Sequence, residues 1–225
     1  MGTLAYPRNF YYYLRKAHII TELGKKIFPE GFYYSNTTYY KAILAQYANF
    51  DSYINIFKGT LQLGSLHTDK NIQSDILGAD SRHVLAKYGK PDFIFTDKNL
   101  SVYVYKWKFN GMKTRCEVHL HKNKAFLVNH IYNHLDKNER NYILDAITGK
   151  YLSQYTHKVD FAHNKISDKN SNVVFASDYL LGMKISYLSN CESDWYEEMA
   201  SVVNAKRSID SDRRIAGEKR FFSRI

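Results

Sequence analysis

The chain has 225 residues, 44% of them hydrophobic, enough to bury the core of one large domain or two small ones. Lys and Arg number 32 against 22 Asp and Glu, and the resulting charge of +10 favours an acidic partner. High aromatic content, with 20 Tyr and 13 Phe against 3 Pro, argues against disorder, and two cysteines exclude a disulfide framework.

The N-terminal run MGTLAYPRNFYYYLRKAH has neither the apolar core nor the cleavage site of a secretory leader. Tyr6 breaks the myristoylation pattern that Gly2 would start. No segment reaches the roughly 18 apolar residues of a membrane span. The expected location is the cytoplasm.

Phe10, Tyr13, Leu14, Ala17, Ile20 and Ile27 recur at helical spacing and predict a helix over 9–27. A second helix is expected over 36–50, capped by Ser35, Asn36 or Thr37, with Tyr40, Ile43, Leu44 and Tyr47 as its apolar stripe. Residues 53–63 (YINIFKGTLQL) read as extended, bent at Gly59. A third helical stretch starts near Asp69, breaks at Gly78 and resumes over Ser81–Tyr88, capped by Asp80 or Ser81. Gly89 and Pro91 end it, and Val84, Leu85 and Tyr88 are its expected core residues.

The strongest β signal follows. Residues 100–109 and 112–121 alternate around Asn110-Gly111, a two-residue hairpin turn. Pairing Phe109 with Met112 sets Trp107 by Thr114, Tyr105 by Cys116 and Tyr103 by Val118 on one apolar face, expected to be core. The opposite face collects Lys106, Lys108, Lys113, Arg115, Glu117, His119 and His121, and is expected to meet solvent. A third strand is expected over 125–132, a helix over 138–153, a hairpin over 172–188, and a helix from about Ser193 with Trp195, Met199, Val202 and Val203 as its stripe. Residues 158–166 are ambiguous.

Asp97-Lys98-Asn99 precedes Gly111-Met112-Lys113 by the same 14 positions that separate Asp168-Lys169-Asn170 from Gly182-Met183-Lys184. Leu85, Tyr88, Asp92 and Phe93 align loosely with Leu152, Tyr155, Asp160 and Phe161. The pattern points to a duplicated helix-plus-antiparallel-sheet unit. The expected fold is therefore α+β: a helical N-terminal region (1–65) packed on the sheet, tandem helix/β-meander units (66–136 and 137–192), and a C-terminal basic helix and tail (193–225).

The run LGADSRHVLAKYGKPD, followed by a meander of short strands, resembles outer-membrane-assembly lipoproteins of the SmpA/OmlA type and the similarly built beta-lactamase inhibitor proteins, which stack two such units. Gly89-Lys90-Pro91 fills the Gly-x-Pro turn of that family, and Val84 and Leu85 fill its helix positions. The likeness covers about 72–132. It implies a fold and a binding role, and no enzyme. This chain departs from the family in lacking its lipobox cysteine.

No sequence motif names a reaction. GxSxG, HExxH, Walker A and GxGxxG are all missing, and no cofactor is implied. His119 and His121 share a strand face and are the candidate catalytic residues of an enzyme whose site would lie between the N-terminal helices and the sheet. They offer two ligands to a metal, and no third is evident, so no metal site is expected. Cys116 falls on the core face, and Cys191 precedes the last helix. The candidate binding residues are Lys106, Lys108, Lys113 and Arg115 on the hairpin, and Arg213 and Arg214 near the C-terminus. The hairpin's aromatic residues point away from its basic face, which disfavours base stacking and leaves only phosphate contact to nucleic acid. The C-terminal segment, ending in Phe221, Phe222 and Ile225, could also touch an anionic membrane. The leading expectation is a non-catalytic binding or assembly protein with an acidic protein partner, with a small enzyme and a nucleic-acid-binding protein as alternatives.

Overall fold

The computed structural model describes residues 36–48, 50–73, 75–109, 111–153, 159–179, 182–189 and 194–222. The helix expected over 9–27 and the Cys191 thiol lie outside them. The chain divides into two compact units, 1–43 and 44–225.

The first unit holds most of helix α1 (Asn36–Leu44), in which Tyr40 is buried. The second unit opens on a short 3-10 turn, Ala45–Tyr47, and then helix α2 (Asp51–Leu61). The extended reading of 53–63 is thus corrected. Tyr, Ile, Phe and Thr favour strands, but Tyr53, Ile54, Phe57 and Thr60 fall on one helical stripe and all four are buried. Tertiary burial of that stripe decides the conformation, and Gly59 is exposed.

The remaining elements are β1 (Gly64–His67), α3 (Ser81–Tyr88), β2 (Phe93–Asp97), β3 (Leu100–Phe109), β4 (Met112–His121), β5 (Lys124–Asn133), α4 (Lys137–Tyr151), β6 (Asn164–Ser167), β7 (Val173–Tyr179), β8 (Gly182–Leu188) and α5 (Asp194–Phe222). The eight strands form one sheet in the order β1-β6-β7-β8-β5-β4-β3-β2. Among the described residues only β1 and β6 pair in parallel. The protein is α+β.

Local chemistry explains several boundaries. Asp80 caps α3 by accepting from the His83 N–H, and Gly89 ends it at φ 76°. Asp136 and Glu139 form a complete capping box on α4. Lys122 and Asn123 both take positive φ in the tight β4–β5 turn. Residues 69–73 and 75–78, expected to be helical, instead form bends and turns in which Ile72 and Ile76 are buried. Those turns are pinned by the buried Asp168 carboxylate, which accepts from the Ile72 N–H at 2.9 Å and from the Asn170 and Asn172 backbone N–H groups. Leu85, expected in the core, is exposed; Val84 alone of α3 is fully buried.

The β3–β4 register is the expected one, from Phe109 opposite Met112 to Tyr103 opposite Val118. Gly182 is the first residue of β8, within the hairpin expected over 172–188. It pairs with Tyr179 on one side and Asn133 on the other, so it is a strand residue. A Cβ there would lie 1.9 Å from the Tyr132 carbonyl oxygen, so close approach of β5 and β8 is what demands glycine.

Both faces of the sheet are covered. On the first, Val84 of α3 and Ile143, Ile147 and Tyr151 of α4 pack with Tyr105, Cys116, Val118, Val128 and Ile185. On the second lie α2 and α5, held by rings: Tyr53 meets Phe126 at 5.1 Å, Phe126 meets Trp195 at 4.6 Å, and Phe57 meets Tyr196 at 4.2 Å. Phe57 beside Tyr196 and Asp51 bound to Arg207 at 2.9 Å show that α2 and α5 run antiparallel. From Ser208 to Phe222 α5 continues past the start of α2, about 22 Å of helix at 1.5 Å per residue. No described side chain from Asn204 to Ile215 is buried.

Candidate functional site

The polar residues on one face of the β3–β4 hairpin divide in two. Lys106, Lys108 and Lys113, near the β3–β4 turn, are exposed. Arg115, Glu117, His119 and His121, further along the same face, are buried. The expectation that this whole face meets solvent is corrected, because α2 and α5 cover its far end. Arg115 accordingly leaves the set of surface binding residues.

Under the helices these side chains form a connected network. Tyr53 Oη lies 2.8 Å from His119 Nδ1, and His119 Nε2 lies 3.1 Å from Asn129 Nδ2 and 3.5 Å from Glu117 Oε2. Ser186 Oγ donates to Asn129 Oδ1 at 2.8 Å. Arg115 Nε reaches Glu117 Oε1 at 2.9 Å, and its Nη2 donates to Tyr179 Oη at 2.8 Å. Tyr47 stacks on Tyr53 with ring centres 5.1 Å apart and meets His119 edge-on at 4.7 Å.

Burial would raise the Glu117 carboxyl, but the His119 contact and the Arg115 charge outweigh it and hold it below the usual range. Burial pushes His119 down against the pull of Glu117, so its ring is neutral at pH 7. Burial likewise lowers Lys184, with Glu117 opposing, and raises the Tyr47 and Tyr53 phenols. The network is an ionised carboxylate surrounded by donors and sealed from water. It suits holding α2 on the sheet, not transferring protons to a substrate, because His119 and Glu117 are buried.

His121 lies apart from that network. Its Nε2 is 3.8 Å from Glu198 Oε2, which Lys122 Nζ also holds at 2.6 Å. It borders a groove of about 480 Å³ at the β4–β5 turn. The structure therefore does not bring His119 and His121 together on a common site. Among the described residues no three His, Cys, Asp or Glu side chains gather as metal ligands would.

At the exposed end, Lys108 and Lys113 stand directly opposite each other across the hairpin. Arg213 and Arg214 are exposed on the projecting part of α5. No helix among the described residues is long and apolar enough to cross a membrane. Sequence reasoning missed the network because polar alternation reads as a solvated face. The available signal was β5, whose run AFLV is apolar on both faces and so implies a sheet covered twice.

No family model and no curated protein matches the chain. Among solved structures, a cysteine-rich secretory protein from Staphylococcus aureus subsp. aureus Mu50 is similar at 12% identity and a TM-score of 0.31, over 57% of this chain and 50% of that one. The chain thus spans about half the length of that structure, and a likeness of this size carries no argument about fold or function.

Proposed function

We propose that this chain is a non-catalytic binding or assembly protein that recognises an acidic macromolecular partner, foremost an acidic protein, through the basic tip of the β3–β4 hairpin. The observation that carries this reading is the Lys108–Lys113 pair. Like charges directly opposite in a sheet repel. Both side chains are exposed, and neither has an ion-pair partner among the described residues. Lys106, exposed on the same strand face, extends the positive patch. An anionic surface docking there relieves the repulsion and is steered by the net charge of +10. Arg213 and Arg214 on the projecting helix offer a second basic contact.

The binding role fits the resemblance to tandem helix-plus-meander proteins. Adding 71 positions (168 − 97) to β2, β3 and β4 brings them onto β6, β7 and β8, which supports duplication of one unit.

The test is affinity capture from the native lysate, with and without nuclease, using the intact chain and a Lys108→Glu/Lys113→Glu variant. The expected result is a stoichiometric acidic protein that survives nuclease and is lost with the variant. Equal capture by the variant would overturn the hairpin as the contact. Loss of everything after nuclease would put nucleic acid in place of protein.

A further inference from the structure

The groove beside His121 has features the hairpin reading does not use. It lies where the turn at Leu77-Gly78, the loop carrying Asn170 and the first turn of α5 meet the β4–β5 turn, and its volume is about 480 Å³. That is the size of a small-molecule site. Its floor is aromatic: Phe126 and Trp195 lie 4.6 Å apart at 31°. Trp195 is 7% exposed, and its Nε1 is buried with no hydrogen-bond acceptor among the described residues. A buried N–H left in this state costs free energy that a ligand oxygen would recover.

The charges at the rim select the ligand. Lys122 is neutralised by Glu198 at 2.6 Å. Lys124 is exposed, borders the groove and has no ion-pair partner among the described residues. One uncompensated cation calls for one negative charge, and a dianionic phosphate would meet the Glu198 carboxylate. We propose that this groove binds a small organic monoanion: a carboxylate carried on a planar apolar body. The carboxylate accepts from Lys124 and the Trp195 indole N–H, and the body lies against the rings of Phe126 and Trp195.

The experiment uses the full ¹⁵N-labelled chain, whose two tryptophans, Trp107 and Trp195, give two indole N–H signals. A Trp107→Phe variant assigns them. Titration with 2-naphthoate is expected to shift the Trp195 signal saturably and leave Trp107 nearly still. 2-Naphthamide and inorganic phosphate should each bind about tenfold more weakly, as should naphthoate to Lys124→Met. A shift that never saturates overturns the site. Equal binding of the amide, or by Lys124→Met, overturns the role of charge. Equal binding of phosphate overturns the planar body.

Discussion

Tyr53 Oη and His119 Nδ1 meet at 2.8 Å, and this contact ties α2 to the middle of β4 with no water between them. Tyr53→Phe deletes the hydroxyl and leaves a buried ring nitrogen without its partner. The expected loss is about 1–2 kcal/mol of stability. Urea unfolding would show it as a lower midpoint at unchanged slope.

Glu117 pairs with the Arg115 guanidinium at 2.9 Å in a buried setting, so Glu117→Gln removes the negative charge that faces it. The expected cost is about 3 kcal/mol or more, measurable by thermal and chemical denaturation. The folded-state carboxyl titrates below its unfolded value, so its stabilisation is full above about pH 4.5 and is lost as pH falls through the depressed folded pKa.

A second acid-sensitive contribution acts at higher pH. Burial depresses His130, which lies against Trp107 and Tyr187, to about 4. Between about 6.5 and 4 the unfolded chain binds a proton that the folded chain does not, so stability falls as pH drops through that window. His130 alone accounts for about 2–3 kcal/mol between pH 7.5 and 4.5. His130→Phe should flatten that part of the stability–pH curve. An unchanged slope would show that His130 is protonated in the folded protein.

Gly182→Ala forces a methyl group into the Tyr132 carbonyl, and the central β5–β8 pairing must shift to admit it. A destabilisation of about 2–3 kcal/mol is expected. Hydrogen exchange at the β5 and β8 amides would locate it, because damage elsewhere would leave those amides protected.

Charge reversal should divide the hairpin. Lys108→Glu/Lys113→Glu should fold with an unchanged melting temperature, since both side chains are exposed. Arg115→Glu places a second carboxylate beside buried Glu117 and should cost at least about 3 kcal/mol. Circular dichroism melts of the two proteins decide the point.

How far the sequence could be read depended on how local the signal was. The β3–β4 register followed from Asn110-Gly111 and simple alternation, and the caps on α3 follow from Asp80 and Gly89 alone. Contacts far apart in the chain were not legible. β1 finds β6 about a hundred residues later, and neither four-residue strand has a pattern of its own. α2 was misread because its Tyr, Ile, Phe and Thr favour strands locally, and only a sheet face awaiting cover makes a helix of them. The same missing cover hid the burial of Arg115, His119 and His121. Of the candidate binding residues, Lys106, Lys108, Lys113, Arg213 and Arg214 are exposed, because they lie beyond the ends of the covering layer.

The β4–β5 ladder slips by one residue between His119 and Leu120, and the surplus residue on β5 is Phe126. Its ring touches Tyr53 on one side and Trp195 on the other. A ladder without the slip would have no ring at that spot, and α2 and α5 would share no common rest on the sheet. The one irregular step in the weave is thus the peg on which both covering helices hang. Trimming it to perfect regularity would be expected to loosen them together rather than one at a time.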